Sequence, residues 1–104
     1  MAQFDVCRNP NPDTQAAIPY LLEVQSDLLE SIATCVVVPL VRTSERQKPA
    51  KYLNPCLDIE GTQVIMLTEQ IAGIPRRALG KRIGSLSSKR QEIMTALDFL
   101  FSGF

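Results

Sequence analysis

Short apolar runs separated by turn residues dominate the first two thirds of the chain and predict a mainly β protein. Apolar positions alternate with polar ones, or β-branched residues cluster, over residues 3–7, 20–25, 34–40, 53–59 and 62–67. Runs of this length and composition are typical of strands. Glu60 and Gly61 separate the last two runs, and a two-residue connection that ends in glycine predicts a tight hairpin.

The connections between these runs are marked by proline and by charged residues. Residues 8–13 contain two prolines and two asparagines, and residues 42–51 are polar and charged, so both segments predict exposed loops. Pro39 lies inside an apolar run, where its missing N–H predicts a bulge or an edge position. Residues 68–77 are less regular, and residues 79–83 fit either a short strand or a turn of helix.

The end of the chain has the period of an amphipathic helix. Its apolar residues recur at spacings of three and four, namely Ile93, Leu97, Leu100, Phe101 and Phe104. Ser88 and Gln91 have capping-box spacing, which predicts the start of this helix. Gly103 lies too near the end to predict a cap and is expected to let the terminal backbone bend. An apolar chain end is either docked on its own core or kept for a partner. We expect the first three apolar residues of the series to pack on the sheet.

Together these patterns predict an α+β fold dominated by a curled antiparallel sheet. We expect four to six short strands in a partial barrel, followed by one C-terminal helix, with residues 1–104 forming one domain. Apolar residues make up 45% of the chain, which fits a folded protein. No apolar run approaches the roughly 18 residues of a membrane span. The N-terminus lacks a signal-peptide pattern, so the expected location is the cytoplasm, with no membrane partner.

The chain contains no histidine, and this absence removes several catalytic schemes. Histidine is the commonest general acid or base at neutral pH, so Ser-His and Cys-His nucleophiles are excluded. Cys7, Cys35 and Cys56 show no metal-binding spacing, and we interpret them as small, buried, reduced side chains. We therefore expect no metal and no cofactor, and an enzyme here would have to rely on carboxylates, arginine, lysine or tyrosine. Asp58 and Glu60 beside the hairpin are interpreted as solvated acids.

Basic residues cluster in the last third of the chain. Six of them, with no acidic residue between, occupy residues 76–90: Arg76, Arg77, Lys81, Arg82, Lys89 and Arg90. Such a cluster fits a nucleic acid, an acidic peptide or simply a solvated face. Nucleic-acid sites usually add aromatic side chains, and this stretch has none, so an acidic protein partner is the better interpretation.

Several short motifs also follow one another in a definite order. The most specific is Val-Gln-Ser-Asp followed by two leucines at residues 24–29. The others are Val38-Pro39-Leu40, Leu53-x-Pro55 with Ile59, Met66-x-Thr68, Ile74-Pro75, Leu86-Ser87, Ile93 and Phe101-x-Gly103. In this order and spacing they resemble the CcdB family of toxins from bacterial type II toxin–antitoxin modules. The resemblance covers roughly residues 21–104.

The resemblance implies an SH3-like sheet with a C-terminal helix, acting as a homodimer. It implies that the protein binds the A subunit of DNA gyrase and traps a cleaved-DNA complex, without being an enzyme itself. It also implies neutralisation by a CcdA-like antitoxin, and contact with DNA only indirectly, through an autoregulatory complex with that antitoxin. The basic residues that would suit an acidic antitoxin tail are Arg76, Arg77, Lys81 and Arg82.

The gyrase-binding end of the family is Phe-Trp-Gly-Ile, and this chain departs from it at two positions. The resemblance assigns gyrase binding to Phe101, Gly103, Phe104, Leu28 and Leu29. Ser102 stands where the family has tryptophan, and Phe104 where it has isoleucine. Asp98 stands where the family has asparagine. Losing an aromatic anchor from an interface typically costs about 2 kcal/mol or more.

Two alternatives to gyrase poisoning remain open. One is a degenerate or retargeted member of the family that still dimerises and binds an antitoxin but no longer poisons gyrase, which Ser102 suggests. The other is an endoribonuclease of the MazF/Kid type, which shares the implied fold. That activity would need an acid/base pair in a cleft, such as Arg76 or Arg77 with a carboxylate, and the sequence alone shows no such arrangement.

Overall fold

A computed structural model describes residues 2–43 and 48–103 of the protein. These residues form one antiparallel sheet followed by an α-helix, α1, at Arg90–Ser102. The strands are β1 Asp5–Arg8, β2 Tyr20–Glu23, β3 Thr34–Arg42, β4 Cys56–Ile59, β5 Thr62–Met66, β6 Ala72–Pro75 and β7 Arg82–Ser85. The main order across the sheet is β4-β5-β3-β2-β1-β7, and β6 pairs with β3 beside β5. This architecture confirms the predicted α+β, mainly β, curled sheet with a C-terminal helix.

The strand count exceeds the predicted four to six because two weak segments pair with strong ones. Ala72–Pro75 lies in the region that the pattern left irregular, yet it pairs along the first half of β3. Arg82–Ser85 pairs with β1, which resolves residues 79–83 in favour of a strand that begins later than predicted. Glycine and proline lower the local strand propensity of both segments. Pairing with a neighbour overrides that propensity.

The hairpin between β4 and β5 forms as predicted. Asp58 pairs with Gln63 and Ile59 with Thr62, so Glu60 and Gly61 are the two loop residues. Their φ angles are 50° and 84°, and positive φ at both positions is the signature of the tight hairpin turn that matches strand twist. Glycine adopts this angle without steric cost, whereas Glu60 accepts a left-handed conformation that non-glycine residues rarely take.

Pro39 occupies a junction in the central strand, so the predicted bulge or edge position was wrong. On one side, β3 pairs with β2 along its length, and Pro39 lies opposite Leu21. On the other side, β6 pairs with β3 up to Val37, and β5 pairs with β3 from Leu40 onwards. The Pro39 carbonyl accepts a hydrogen bond from Leu67 N–H at 2.9 Å on that side. The missing N–H therefore falls where one partner strand has ended and the next begins.

One face of the sheet and α1 enclose the main apolar core. Val6, Leu22, Val38 and Leu40 from the central strands cluster with Ile93, Ala96 and Leu97 of the helix. Ile93 and Leu97 are buried, as the helical period predicts, and Leu100 is half-buried. Ala96 beside them is also buried. Burying a side chain such as Ile93 contributes roughly 1.5–3 kcal/mol. This packing fixes the direction in which the end of the helix leaves the sheet.

The two ends of α1 differ from the predicted caps. A single 3-10 turn, Ser87–Lys89, precedes the helix, and Lys89 at the N-cap makes no side-chain capping hydrogen bond. The predicted capping box is therefore absent. At the other end Gly103 does cap the helix, with φ 78° and its N–H donating to Phe99 O at 2.9 Å. This left-handed glycine cap is a common way to end a helix, and it corrects the expectation of a simple bend.

The opposite face of the sheet carries polar and ionisable residues. Because side chains alternate along a strand, Asp5 and Cys7 of β1 share this face with Glu23 of β2. Asp5, Cys7, Glu23 and Cys35 are all buried, whereas Cys56 on β4 is exposed. The prediction of three buried cysteines was thus wrong for Cys56, which lies on an edge strand. Within residues 2–43 and 48–103, no helix is long and apolar enough to cross a membrane.

Candidate functional site

The end of α1 presents an aromatic side chain to solvent. Phe101 is 73% exposed, and Asp98 and Ser102 are exposed beside it. Gly103 follows as the left-handed cap. Phe104 lies outside the described residues, so its predicted role stays a prediction. The C-terminal residues named by the sequence therefore divide into a packed part, up to Leu97, and an exposed part that begins at Phe101.

A second exposed apolar surface lies on the turn between β2 and β3. Leu28 is 92% exposed and Leu29 is 43% exposed, in a 3-10 turn at Asp27–Leu29. Ile32 is 44% exposed on the same connection. It was not among the predicted contact residues, because it lies outside the Val-Gln-Ser-Asp-Leu-Leu motif, although it follows Leu28 and Leu29 at spacings of four and three. Large apolar side chains exposed together on one short turn are typical of a protein–protein contact. We call Leu28, Leu29 and Ile32 the apolar turn.

The apolar turn is held by polar side chains of the same connection between β2 and β3. Gln25 Nε2 donates to Thr34 O at 3.1 Å and, more weakly, to Leu29 O at 3.4 Å, and Gln25 Oε1 accepts from Val36 N–H at 3.1 Å. Ser26 Oγ accepts from Leu28 N–H at 3.2 Å. The Val-Gln-Ser-Asp motif therefore has a structural purpose, because its polar side chains fix the turn that displays the two leucines.

Arg76 completes this support from a distant part of the chain. Its Nε donates to Ile32 O at 2.7 Å, and its Nη2 donates to Leu29 O at 3.2 Å. Its Nη1 pairs with Glu23 Oε1 at 3.0 Å. All three guanidinium nitrogens are thus engaged, and the Glu23 side chain is only 3% exposed. Arg76 was predicted to meet an antitoxin, and the structure places it as a clamp between the sheet and the apolar turn.

Arg82 makes the corresponding contact at the other end of the connection from β6 to β7. Its Nε lies 3.1 Å from Asp5 Oδ2, with Asp5 buried and the Arg82 side chain 52% exposed. Asp5 also accepts from Ala2 N–H at 2.7 Å. A buried carboxylate needs such partners because desolvation strongly disfavours an isolated charge. We call residues 76–82 the crossover segment.

Arg77 and Lys81 lie within the crossover segment and remain solvent-facing. Both are exposed, and neither forms an ion pair with another residue in the described ranges. The four basic residues of the crossover segment thus separate into two arginines that neutralise buried carboxylates and two cations available to a partner. Lys89 lies 3.8 Å from Glu92 on the helix surface, where both side chains are half-exposed.

The buried polar face also changes the chemistry of its cysteines. Burial raises the pKa of the Cys35 thiol to about 12, and a hydrogen bond with the Glu23 carboxylate adds to this shift. Burial likewise raises the pKa of Cys7, with the negative charges of Glu23 and Asp5 adding to it. Thiols of this kind stay protonated at neutral pH and are poor nucleophiles.

Two solved structures share this fold over almost the whole chain. One is an endoribonuclease in complex with its cognate antitoxin from a mycobacterial species, with a TM-score of 0.77 and 16% identity, covering 97% of this chain and 94% of that chain. The other is an endoribonuclease from a mycobacterial species, with a TM-score of 0.76 and 16% identity, covering 97% and 90%. The expectation that this protein is not an enzyme is corrected by these matches, because the same fold is found in named endoribonucleases.

A family model decides the family more directly than these distant structures do. The model described as CcdB protein matches residues 3–103, which is nearly the whole chain and includes the segment 3–20 that the sequence motifs left unmatched. The ordered motifs and the curled sheet agree with it. This chain therefore belongs to the CcdB protein family and is a toxin of the toxin–antitoxin kind.

Proposed function

We propose that the protein acts on the A subunit of DNA gyrase and stabilises its cleaved-DNA complex, and that an antitoxin neutralises it. The observation that carries this proposal is the exposure of Phe101 at the end of α1 and of Leu28 on the apolar turn. Exposed aromatic and aliphatic anchors on rigid elements are what a protein partner can bind tightly. Membership of the CcdB family supplies the partner class.

The contacting residues that we propose are Phe101, Gly103, Phe104, Leu28 and Leu29, from two copies of the chain in a homodimer. Gly103 contributes through its left-handed backbone, which ends the helix. Arg77 and Lys81 are the proposed contacts for an acidic antitoxin. Arg76 and Arg82 act on the antitoxin only indirectly, since their guanidinium groups hold the crossover segment in place.

Purified protein mixed with gyrase and supercoiled DNA tests this proposal. We expect linear DNA to accumulate after detergent and protease treatment. Phe101→Ala should reduce the yield by about tenfold or more, because it removes an exposed anchor. Thr95→Ala, an exposed change on the same helix, is the matched control and should leave the yield unchanged. Absence of cleaved DNA at micromolar protein would reject gyrase poisoning.

Ser102 provides a separate test of a degenerate or retargeted protein. If gyrase binding has weakened because tryptophan is absent, Ser102→Trp should increase DNA cleavage by roughly thirtyfold at limiting protein. The side chain is exposed, so the change should not disturb the core. An unchanged yield, together with an unchanged thermal unfolding midpoint, would show that the weakness lies elsewhere.

A second candidate function is RNA cleavage. The fold shared with two endoribonucleases favours it, and the 3.0 Å pair of Arg76 and Glu23 supplies the cation and carboxylate that such chemistry needs. Three features argue against RNA cleavage: Glu23 is buried, the Arg76 donors are engaged, and the chain has no histidine. Incubating the protein with a long single-stranded RNA distinguishes the two candidates. Cleavage with turnover, abolished by Arg76→Ala, would favour the enzyme.

A further inference from the structure

A cavity of about 420 Å³ opens on the polar face of the sheet, away from the end of α1. Its floor is apolar and comes from two adjacent strands, with Leu21 of β2 and Val37 and Pro39 of β3 lining it. Ile18 from the loop after β1 and Ile74 from β6 form its walls. This volume suits one large aliphatic or aromatic side chain with neighbouring backbone. We call it the sheet cavity.

The mouth of the sheet cavity is fixed before any partner arrives. Asn9 is buried, and its Nδ2 donates to Thr14 Oγ1 and to Ile18 O, both at 2.9 Å. Its Oδ1 accepts from Asn11 N–H at 3.1 Å. These bonds fasten the loop of residues 9–18 into a closed turn, and Asn11 lines the cavity. A preformed mouth lowers the entropy lost on binding.

Exposed cations lie close in the chain to residues that line this mouth. Ala78 of the crossover segment lines the cavity, and Arg77 and Lys81 lie on either side of it in the chain. Arg8 is also exposed, and its backbone N–H donates to Lys81 O at 2.8 Å. Asp13 is the acidic residue of the adjoining loop. The local excess is therefore positive and accessible, because the buried carboxylates on this face are already neutralised.

Gly80 shows how closely the crossover segment approaches β1. A Cβ atom at this position would lie 2.5 Å from Arg8 O, a distance that forces the backbone to move. Gly80 N–H donates to the same oxygen at 3.0 Å. Together with the ion pairs of Arg76 and Arg82, this contact holds Arg77 and Lys81 at a constant position beside the cavity.

We propose that the sheet cavity receives one bulky apolar side chain of an acidic segment of the antitoxin, with Arg77 and Lys81 pairing with carboxylates on that segment. This inference rests on the proposed neutralisation by an antitoxin. The apolar floor of the cavity favours an apolar side chain as the residue that enters it. The exposed cations favour acidic residues next to that side chain in the antitoxin. The residues that line the cavity include neither Phe101 nor any residue of the apolar turn.

Two synthetic pentapeptides test the site directly by NMR. Both have four acidic residues around a central position, which is leucine in one and alanine in the other. We expect the leucine peptide to shift the backbone amide signals of Ile18, Leu21 and Ile74 in the ¹⁵N-labelled protein. The alanine peptide should bind about tenfold more weakly, because it leaves the cavity unfilled. Binding should weaken further as salt is raised.

Charge-reversal variants give the matched controls. Arg77→Glu with Lys81→Glu should weaken the leucine peptide by about tenfold or more, since two favourable contacts become repulsive. Lys89→Glu makes the same kind of charge change within the basic run but at the start of α1, and should leave the affinity close to that of the native protein. All variants should keep their gyrase-dependent DNA cleavage, which separates this inference from the function proposed above.

Three results would overturn the inference. The first is an absence of shifts at millimolar peptide in a protein whose spectrum shows it to be folded. The second is equal affinity for the leucine and alanine peptides, which would leave the cavity without a role. The third is tighter binding of hexauridylate RNA to the same amides than of either peptide, which would assign the cavity to nucleic acid. Peptide binding without gyrase poisoning would reject only the proposed function.

Discussion

The two faces of the sheet are buried by different means. The face under α1 is buried by a cluster of fourteen apolar residues, nearly all of them aliphatic, including Leu22 and Ile93. The opposite face buries Asp5 and Glu23 and neutralises them with arginines from the crossover segment. Aliphatic burial is not directional, whereas an ion pair stabilises only at the right distance. The first face therefore supplies stability, and the second supplies position, for both the apolar turn and the exposed cations.

The largest effect should follow from truncating a buried side chain on the face of the sheet under α1. Ile93→Ala removes a fully buried side chain at the contact between helix and sheet. We expect the free energy of unfolding to fall by about 4 kcal/mol, from lost transfer energy and the cavity left behind. Urea denaturation followed by circular dichroism measures it. A loss below about 1 kcal/mol would show that the helix can repack, and would weaken the contrast between the faces.

Breaking the more buried ion pair should cost slightly less. Arg76→Met leaves Glu23 buried without its cation, and we expect a loss of about 3 kcal/mol in the same measurement. Arg76→Met with Glu23→Gln should recover part of it, because the uncompensated charge is gone. The double variant should still fail in gyrase binding, since Leu29 O and Ile32 O lose their donor. Full recovery of binding would show that Arg76 does not position the apolar turn.

The second ion pair sharpens the comparison because it is more exposed. Arg82→Met removes the cation that pairs with Asp5. The Arg82 side chain is 52% exposed, whereas Asp5 is buried. Solvent screens this pair, and Ala2 N–H still donates to Asp5, so we expect a loss of about 1 kcal/mol. The loss should shrink in 1 M salt, unlike that of Ile93→Ala. An equal loss for Arg76→Met and Arg82→Met would contradict the difference in burial.

The smallest effect concerns the Cys35 thiol, which is buried on the polar face of the sheet. Folding raises the pKa of Cys35 from 9.0 to about 12, so the folded state holds this proton more tightly than the unfolded state does. The contribution is therefore complete below pH 9 and is lost as the pH rises from 9 towards 12. Between pH 8 and 10 we expect the stability to fall by about 1 kcal/mol. Cys35→Ala, in a reducing buffer, should show a shallower fall, leaving the contribution of Cys7, whose pKa is also raised by burial.

Most of the fold could be read from local patterns. Local sequence patterns predicted the hairpin at Glu60 and Gly61, the central strand and the buried stripe of α1, and all three are present in the structure. The weak strand β6 could not be read, because its glycine and proline give no signal without the partner strand. The helix caps were misjudged for a related reason. The Ser88 side chain makes no capping bond, while Gly103 does cap once the helix is held against the sheet.

The candidate site was only partly visible in the sequence. Phe101 and Leu28 were named from motifs and are exposed, whereas Ile32 was missed because it lies outside the motif that contains the two leucines. The basic run was visible as a cluster, but its division into neutralising and accessible cations was not. That division depends on Asp5 and Glu23, which alternation alone could not show to be buried on the second face of the sheet.

The sequence by itself determined the mainly β pattern, the C-terminal helix, the apolar chain end and the family. These follow from spacings of two to four residues and from ordered motifs, which do not need a folded structure to be read. Tertiary structure decided which residues meet. Arg76 and Glu23 are 53 positions apart, and only the pairing of β6 with β3 brings them to 3.0 Å. An ion pair depends on distance in space, so the positions of the apolar turn and of Arg77 and Lys81 are set only when the sheet has closed.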